Sequence, residues 1–294
     1  MKPKLLVGGV SKSGTTALYH YLLQHPEICL SKKKELHYFS RQWLERSVSG
    51  PGDRFVLAEI PKTFDDYLSY FRHCNEKKVA IDISPSYLFH YQSADTIKEH
   101  LGDAKIIFIL RNPIEKSFSQ YMHNVSEGLE KLNFEQALAA ESKRESEGYS
   151  DMWLYKKSGL YADAIEYYKK VLGSVNVRLF YYEEYLRDPA FVLREICKFA
   201  GVNSEFEFKE VFDINRSGRP KSVLLARLIS PNTFTYFLRR IIPNALGQYI
   251  RRSIKYSNIS EKPTMSEKTR AELSVFFAED VSRVESIIGH KVGW

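Results

Sequence analysis

Residues 4–10, KLLVGGV, form a short apolar run that ends in two glycines, and SKSG then opens a segment with Leu18, Tyr21 and Leu22 at helical spacing. Such a run suits a buried parallel strand, and His25-Pro26 stops the helix near residue 24. A strand, a glycine turn and a helix in immediate succession leave few folds open. The turn aims several backbone N–H groups at one point, and the helix dipole adds partial positive charge there. Gly9 and Gly14 stand at the spacing of the phosphate-binding pattern G-x-x-x-x-G-K-[ST]. Thr15 replaces the lysine of that pattern, and Lys12 lies inside the loop instead. In an ATPase the lysine after the second glycine reaches the β- and γ-phosphates, and a hydroxyl holds magnesium. A loop with threonine in that place favours a ligand with no γ-phosphate and no metal.

Strand and helix then alternate. Pro61 opens a helix whose Phe64, Tyr67, Leu68 and Phe71 share one face. Strands are expected over 79–84 (VAIDIS), 105–110 (KIIFIL) and 175–181 (VNVRLFY). Helices are expected over 93–101, from Pro113 to about residue 127, over 160–172 and over 190–200. The alternation predicts an α/β fold, a P-loop-type parallel sheet with helices on both faces. A C-terminal helical extension follows at 265–288, with Leu273, Phe276, Phe277, Val281, Val284 and Ile288 on one side. The charged stretch 136–155 shows no such period. A length of 294 residues, 44% of them hydrophobic, fits one domain over 1–294. Within it the apolar but arginine-rich stretch 224–260 reads as a helical insertion or lid. Peripheral membrane contact is its less favoured reading.

Lysine and arginine exceed aspartate and glutamate, 43 against 36, for a net charge of +7. That balance suits an anionic ligand, a nucleic acid or a membrane surface. The N-terminus lacks a signal-peptide pattern, and no run of about 18 apolar residues occurs. Cys29, Cys74 and Cys197 are far apart and form no C-x-x-C, so they read as reduced thiols of a cytoplasmic protein. No H-E-x-x-H and no Cys/His cluster is visible, so no metal site is expected.

A second motif follows the strand 105–110. Arg111-Asn112-Pro113 stands at its tip, and Ser117, Ser119 and Tyr121 lie along the next helix. An arginine there points into the crevice where α/β sheets bind ligands, and its guanidinium suits a second phosphate. The loop 9–16 together with R-N-P-x-x-x-x-x-S resembles the sulfotransferases that use 3′-phosphoadenosine 5′-phosphosulfate (PAPS). The likeness is to the bacterial and heparan-type glycan branch, through GTTAL and KKELHYF (33–39). It extends to IDISPSYL (81–88), with Asp82 in place of the usual glutamate, to LRDP (186–189) and to the closing G-x-x-x-G-W (289–294). Ser40 departs from the aspartate often found there in heparan-type enzymes.

The resemblance implies PAPS as donor, adenosine 3′,5′-bisphosphate as product and no metal. Lys12, Ser13, Gly14, Thr15 and Thr16 would hold the phosphosulfate, and Arg111 and Ser119 the 3′-phosphate. Arg219 and Lys221, in the basic loop 216–221, would close over that end. Lys12 inside the loop is the candidate cation for charge developing on the leaving phosphate. Glu35 matches the family's general base. His37, two residues on, faces the same way if the segment is extended, and would orient the acceptor or share the proton. Asp82, Ser84, Tyr87 and Tyr161 are further residues placed to reach the site or its rim. The expected partner is a hydroxylated acceptor, such as an anionic glycan, taking sulfate on oxygen or nitrogen, and not a nucleic acid. Two alternatives stay open: a P-loop kinase of a small metabolite, and a non-enzymatic nucleotide- or polyanion-binding module.

Overall fold

Five parallel strands form the sheet of the computed structural model, which describes residues 1–75, 78–211, 221–222 and 263–294. They are β1 (Leu5–Gly9), β2 (Ile28–Leu30), β3 (Val79–Ile83), β4 (Lys105–Leu110) and β5 (Val177–Tyr181), in the spatial order β2-β3-β1-β4-β5. Leu5 stands opposite both Ile81 and Lys105, and Gly9 opposite Ile109. Side chains alternate across a strand, so β4 feeds two cores. Ile106, Phe108 and Leu110 pack with Tyr87, Ile97, Ile165 and Tyr168 on one face. Ile107 and Ile109 pack with Leu18, Leu22, Leu193 and Ile196 on the other. Burial on both faces is why KIIFIL is apolar without interruption.

The chain leaves β1 toward the β2 edge and leaves β4 toward β5. The crevice beyond the C-terminal ends of these two neighbours is therefore the switch point at which open α/β sheets bind ligands. The expected strands are present, with 79–84 ending at Ile83 and 175–181 beginning at Val177 after a 3₁₀ turn over Ser174–Asn176. The three-residue β2 is an addition, too short to show a period.

The charged stretch around 136–155 folds into two short helices, Phe134–Ala139 and Glu141–Ser146. Asn133 and Gln136 cap the first reciprocally, each side chain accepting from the other's backbone N–H. Arg144 grips Glu130 with two bonds of 2.7 and 2.9 Å, and Tyr155 donates to the same carboxylate at 2.8 Å. Charges that look like solvated surface in the sequence are thus partly internal.

The helix Glu267–Ile288 buries Leu273, Phe277 and Val284, but Phe276 is 45% exposed, against expectation, with the Lys156 ammonium 5.3 Å from its ring. Asp280 on the same helix accepts from the backbone N–H groups of Tyr161 (2.8 Å) and Ala162 (3.1 Å), where the helix Ala162–Leu172 begins. The expected insertion or lid at 224–260 lies outside the described residues, as does Arg219.

The reading of three reduced thiols is corrected. Cys29 at β2 and Cys74, 45 residues later, form a disulfide across a Cα separation of 5.7 Å; only Cys197 is free. Cys29 stands opposite Ala80 on β3, and Cys74 lies in the chain leading into that strand, so the contact is one no local spacing reveals. The inference of a reducing compartment loses its basis with it. His73 Nε2 also lies 3.4 Å from Cys29 Sγ, so folding assembles the Cys/His cluster that the linear sequence hides, its two sulfurs joined to each other. No helix among the described residues is long and apolar enough to cross a membrane.

Lys116, on the helix Pro113–Ser126, is buried and donates to Ser158 Oγ. Burial pulls its ammonium down to about 7, against the opposing pull of Asp151 and Glu141. Between that value and the ordinary lysine range the native state has lost a proton that the unfolded chain keeps, so stability rises with pH. Unfolding free energy should increase by about 2 kcal/mol from pH 7 to 9, and Lys116→Met should flatten that rise. Denaturant titrations at the two pH values check both statements.

Candidate active site

The loop after β1 is shaped by close approach. A side chain at Gly9, φ 131°, would put its Cβ 2.7 Å from the carbonyl oxygen of Ile109 on β4. Gly14 starts the helix Thr15–Leu22 with φ 83°, and a Cβ there would lie 3.0 Å from the Tyr182 ring. Ser13 turns its hydroxyl inward to the Val10 carbonyl at 2.7 Å and is fully buried, so of the expected loop contacts it alone faces away from the cleft.

Arg111 ties the tip of β4 to this loop. Its Nη1 donates to the Lys12 carbonyl at 2.7 Å, and its guanidinium stacks 4.6 Å from the Tyr182 ring. Asn112 caps the following helix by accepting from Ile114 N at 2.9 Å, and Pro113 fills the first helical position. Tyr161, wholly buried, donates to the Arg111 carbonyl at 3.0 Å. Glu183 accepts from Asn112 N and from the indole of Trp294. The R-N-P motif and the terminal tryptophan thus brace one corner.

A cleft of ≈ 320 Å³ opens beside the loop, lined by Lys12, Gly14, Thr15, Thr16, Glu35 and His37. Six expected residues that are dispersed in sequence therefore meet. Arg111 and Ser119 stand outside this lining; Ser119 is buried on its helix, and Lys221 is exposed. His123, Asp53 and Asp151 line the cleft and carry no signal in the linear sequence. Asp53 is nearly buried and links two loops there, accepting from Gly50 N, Ser150 N, Ser150 Oγ and Trp153 Nε1.

The segment bearing Glu35 and His37 is not extended, as was expected. Among the described residues only Lys12 (φ 74°), Glu35 (62°) and His37 (53°) are non-glycine residues in the left-handed region, and all three line the cleft. Such conformations cost about 1–3 kcal/mol each and persist only where the surroundings hold them. Here Glu35 N donates to Ile83 O at 3.0 Å and His37 N to Ser84 Oγ at 3.1 Å. Ser84 in turn donates to Asp82, which also accepts from Tyr87 (2.6 Å) and Tyr67 (3.1 Å). Burial pushes the Asp82 carboxyl up, against those three hydroxyls. Asp82, Ser84 and Tyr87 are therefore the buried support of the segment rather than its rim. His37 Nδ1 meets Ser86 Oγ at 2.6 Å, and Nε2 faces Glu35 Oε2 at 3.8 Å.

Lys34 Nζ reaches Glu35 Oε1 at 2.6 Å and Thr16 Oγ1 at 2.8 Å. Burial pushes the Glu35 carboxyl up, but the Lys34 ammonium and the His37 ring outweigh it and hold the group well below the usual carboxylate range. Lys34 was not singled out from the sequence, where it is one of three consecutive lysines.

The residues fit an anionic nucleotide. The loop backbone and helix N-terminus form an anion cradle, and Arg111 Nε is buried beside it without a hydrogen-bond partner among the described residues.

The model of a family described as the sulfotransferase family matches residues 3–207. The chain is 27% identical over 219 residues to the human bifunctional heparan sulfate N-deacetylase/N-sulfotransferase 3, covering 71% of this chain and 23% of that protein. It is 24% identical over 219 residues to the mouse heparan sulfate glucosamine 3-O-sulfotransferase 3A1, covering 74% and 50%. It thus spans half or less of the length of these two relatives. A crystal structure of a sulfotransferase from Alicyclobacillus acidocaldarius superposes with a TM-score of 0.78 at 30% identity, covering 99% of this chain and 98% of that one. The mouse sulfotransferase SULT7A1 complexed with PAP shares the fold at a TM-score of 0.51 and 15% identity, covering 95% and 84%.

Gly14→Ala should test the cradle. A left-handed alanine costs about 1–2 kcal/mol, and its methyl would press on the Tyr182 ring. The variant should melt lower and bind adenosine 3′,5′-bisphosphate markedly more weakly by calorimetry. Unchanged affinity would show that the loop does not hold the nucleotide.

Proposed function

Because the chain belongs to the sulfotransferase family, we propose that it moves the sulfuryl group of PAPS to a hydroxyl or amine of a carbohydrate acceptor, with Glu35 as general base. One observation carries this reading: a single ammonium, that of Lys34, touches both the Glu35 carboxylate and the Thr16 hydroxyl at the head of the loop helix. A base is thus held within one side chain's span of the anion cradle. The heparan sulfate relatives support a glycan acceptor, and the net charge of +7 suits an anionic one.

PAPS supplies the sulfuryl group and a phosphate as leaving group. The chain does the rest by positioning and by charge, as in phosphoryl transfer. Lys12, Gly14, Thr15 and Thr16 would hold the phosphosulfate, and Lys12 would stabilise negative charge on the departing phosphate oxygen. Arg111, with Ser119, Arg219 and Lys221, would take the 3′-phosphate. Glu35 would accept the acceptor's proton, and His37, fixed by Ser86, would orient the acceptor. None of these roles calls for a metal. A kinase would want a lysine where Thr15 stands, and a passive binding module has no use for Glu35 in the cleft.

Glu35→Gln keeps the shape and removes the base. Transfer from radiolabelled PAPS to a heparan-type acceptor should fall by about 10²–10⁴, with adenosine 3′,5′-bisphosphate affinity unchanged. Loss of nucleotide binding in a folded variant would refute the assignment of Glu35 as base.

A further inference from the structure

Adjacent residues on an extended chain point to opposite faces, yet the side chains of Lys34 and Glu35 converge to 2.6 Å. They converge where Glu35 sits at φ 62°, held by its bond to Ile83 O. The same ammonium rests on Thr16 Oγ1, a hydroxyl at the N-terminus of the loop helix, where an anion would sit. A carboxylate bonded this tightly to a cation is a poor proton acceptor, because the pair stabilises its charged form. The contact that orders Glu35 also restrains it.

We propose that Lys34 is a donor-gated clamp on Glu35. Before the donor binds, its ammonium bridges Glu35 Oε1 and Thr16 Oγ1. With a phosphosulfate at the Thr16 end of the loop, Lys34 turns to the sulfuryl oxygens and frees the carboxylate. Glu35 then takes the acceptor's proton as the acceptor atom bonds to sulfur. The bond from sulfur to the bridging oxygen breaks, and its electron pair stays on the phosphate. Lys34 moves from silencing the base to offsetting charge on the group in transit. The clamp rests on the sulfuryl-transfer reading above and adds an order of events to it: donor first, base second.

Around Glu35 the other charged or titratable groups are His37 on its own segment, Lys12 from the loop, His123 from the helix Pro113–Ser126, and Asp53 and Asp151 from the facing loops. Asp82 and His90 lie behind His37. The Lys34 ammonium and the His37 ring both pull the Glu35 carboxyl down, and the charge of Lys34 is the largest single pull.

Release of the clamp lets Glu35 bind a proton more readily, and calorimetry in two buffers of different ionisation enthalpy counts that proton. At about pH 5, just above the ordinary carboxylate range, the wild-type chain should take up more protons on binding PAPS than Lys34→Met does. On binding adenosine 3′,5′-bisphosphate, which has no sulfuryl group, wild type should show no such excess. The bisphosphate arm also reports that the variant is folded. Lys33→Met, which removes the neighbouring ion pair with Glu59, should behave as wild type. Equal uptake in wild type and Lys34→Met on PAPS binding, or the same excess with the bisphosphate, would overturn the clamp and leave sulfuryl transfer standing. Failure of the wild-type chain to bind either nucleotide would overturn both.

Discussion

At Gly9 the first strand runs so close to its neighbour that no side chain fits between the backbones: a Cβ would meet the Ile109 carbonyl at 2.7 Å. That approach keeps β1 paired with β4 to its last residue, Gly9, which stands opposite Ile109. The loop after β1 and the arginine after β4 then emerge side by side, and the bond from Arg111 to the Lys12 carbonyl joins them. The helix that follows each strand begins at this point, one at Thr15 and one at Pro113. The candidate site depends on this junction. Glycine supplies the proximity, and strand pairing across the sheet converts it into a shared crevice.

The sheet was legible because strands buried on both faces must be continuously apolar, and β4 is. The start of the helix after β4 was legible too, since Pro113 is a local signal, whereas the reciprocal cap of Asn133 and Gln136 was passed over in a stretch read only as charged. What else escaped was non-local. Three residues of β2 carry no period, yet β2 pairs with β3 and holds Cys29, which is bonded to Cys74. Asp53 and His123 reach the cleft from separate loops and helices. Glu35 and His37 were expected to align by strand periodicity; they meet instead through left-handed turns pinned to Ile83 and Ser84. Phe276 looked apolar and inward, but the helix buries Leu273, Phe277 and Val284 and leaves Phe276 exposed.

Electrostatics set the chemical tone of the cleft. Lys34 is bonded to the Glu35 carboxylate, Lys12 shares the cleft lining with Glu35, Asp53 and Asp151, and Arg111, whose Nε has no hydrogen-bond partner among the described residues, braces the loop. A helix N-terminus and a loop lysine at one end of the cleft suit an anionic ligand. The strain at Lys12, Glu35 and His37 has the same sense: backbone energy is stored where ligand contacts are expected to repay it.

The central claim is that the loop holds a 3′-phosphorylated adenine nucleotide rather than a nucleoside triphosphate with magnesium. Thermal unfolding in the presence of each ligand tests it most directly, because a ligand that binds the folded state and not the unfolded chain raises the melting temperature by mass action. Adenosine 3′,5′-bisphosphate should raise it, and ATP with magnesium should leave it near the value of the protein alone. A rise with ATP and magnesium, and none with the bisphosphate, would contradict the claim.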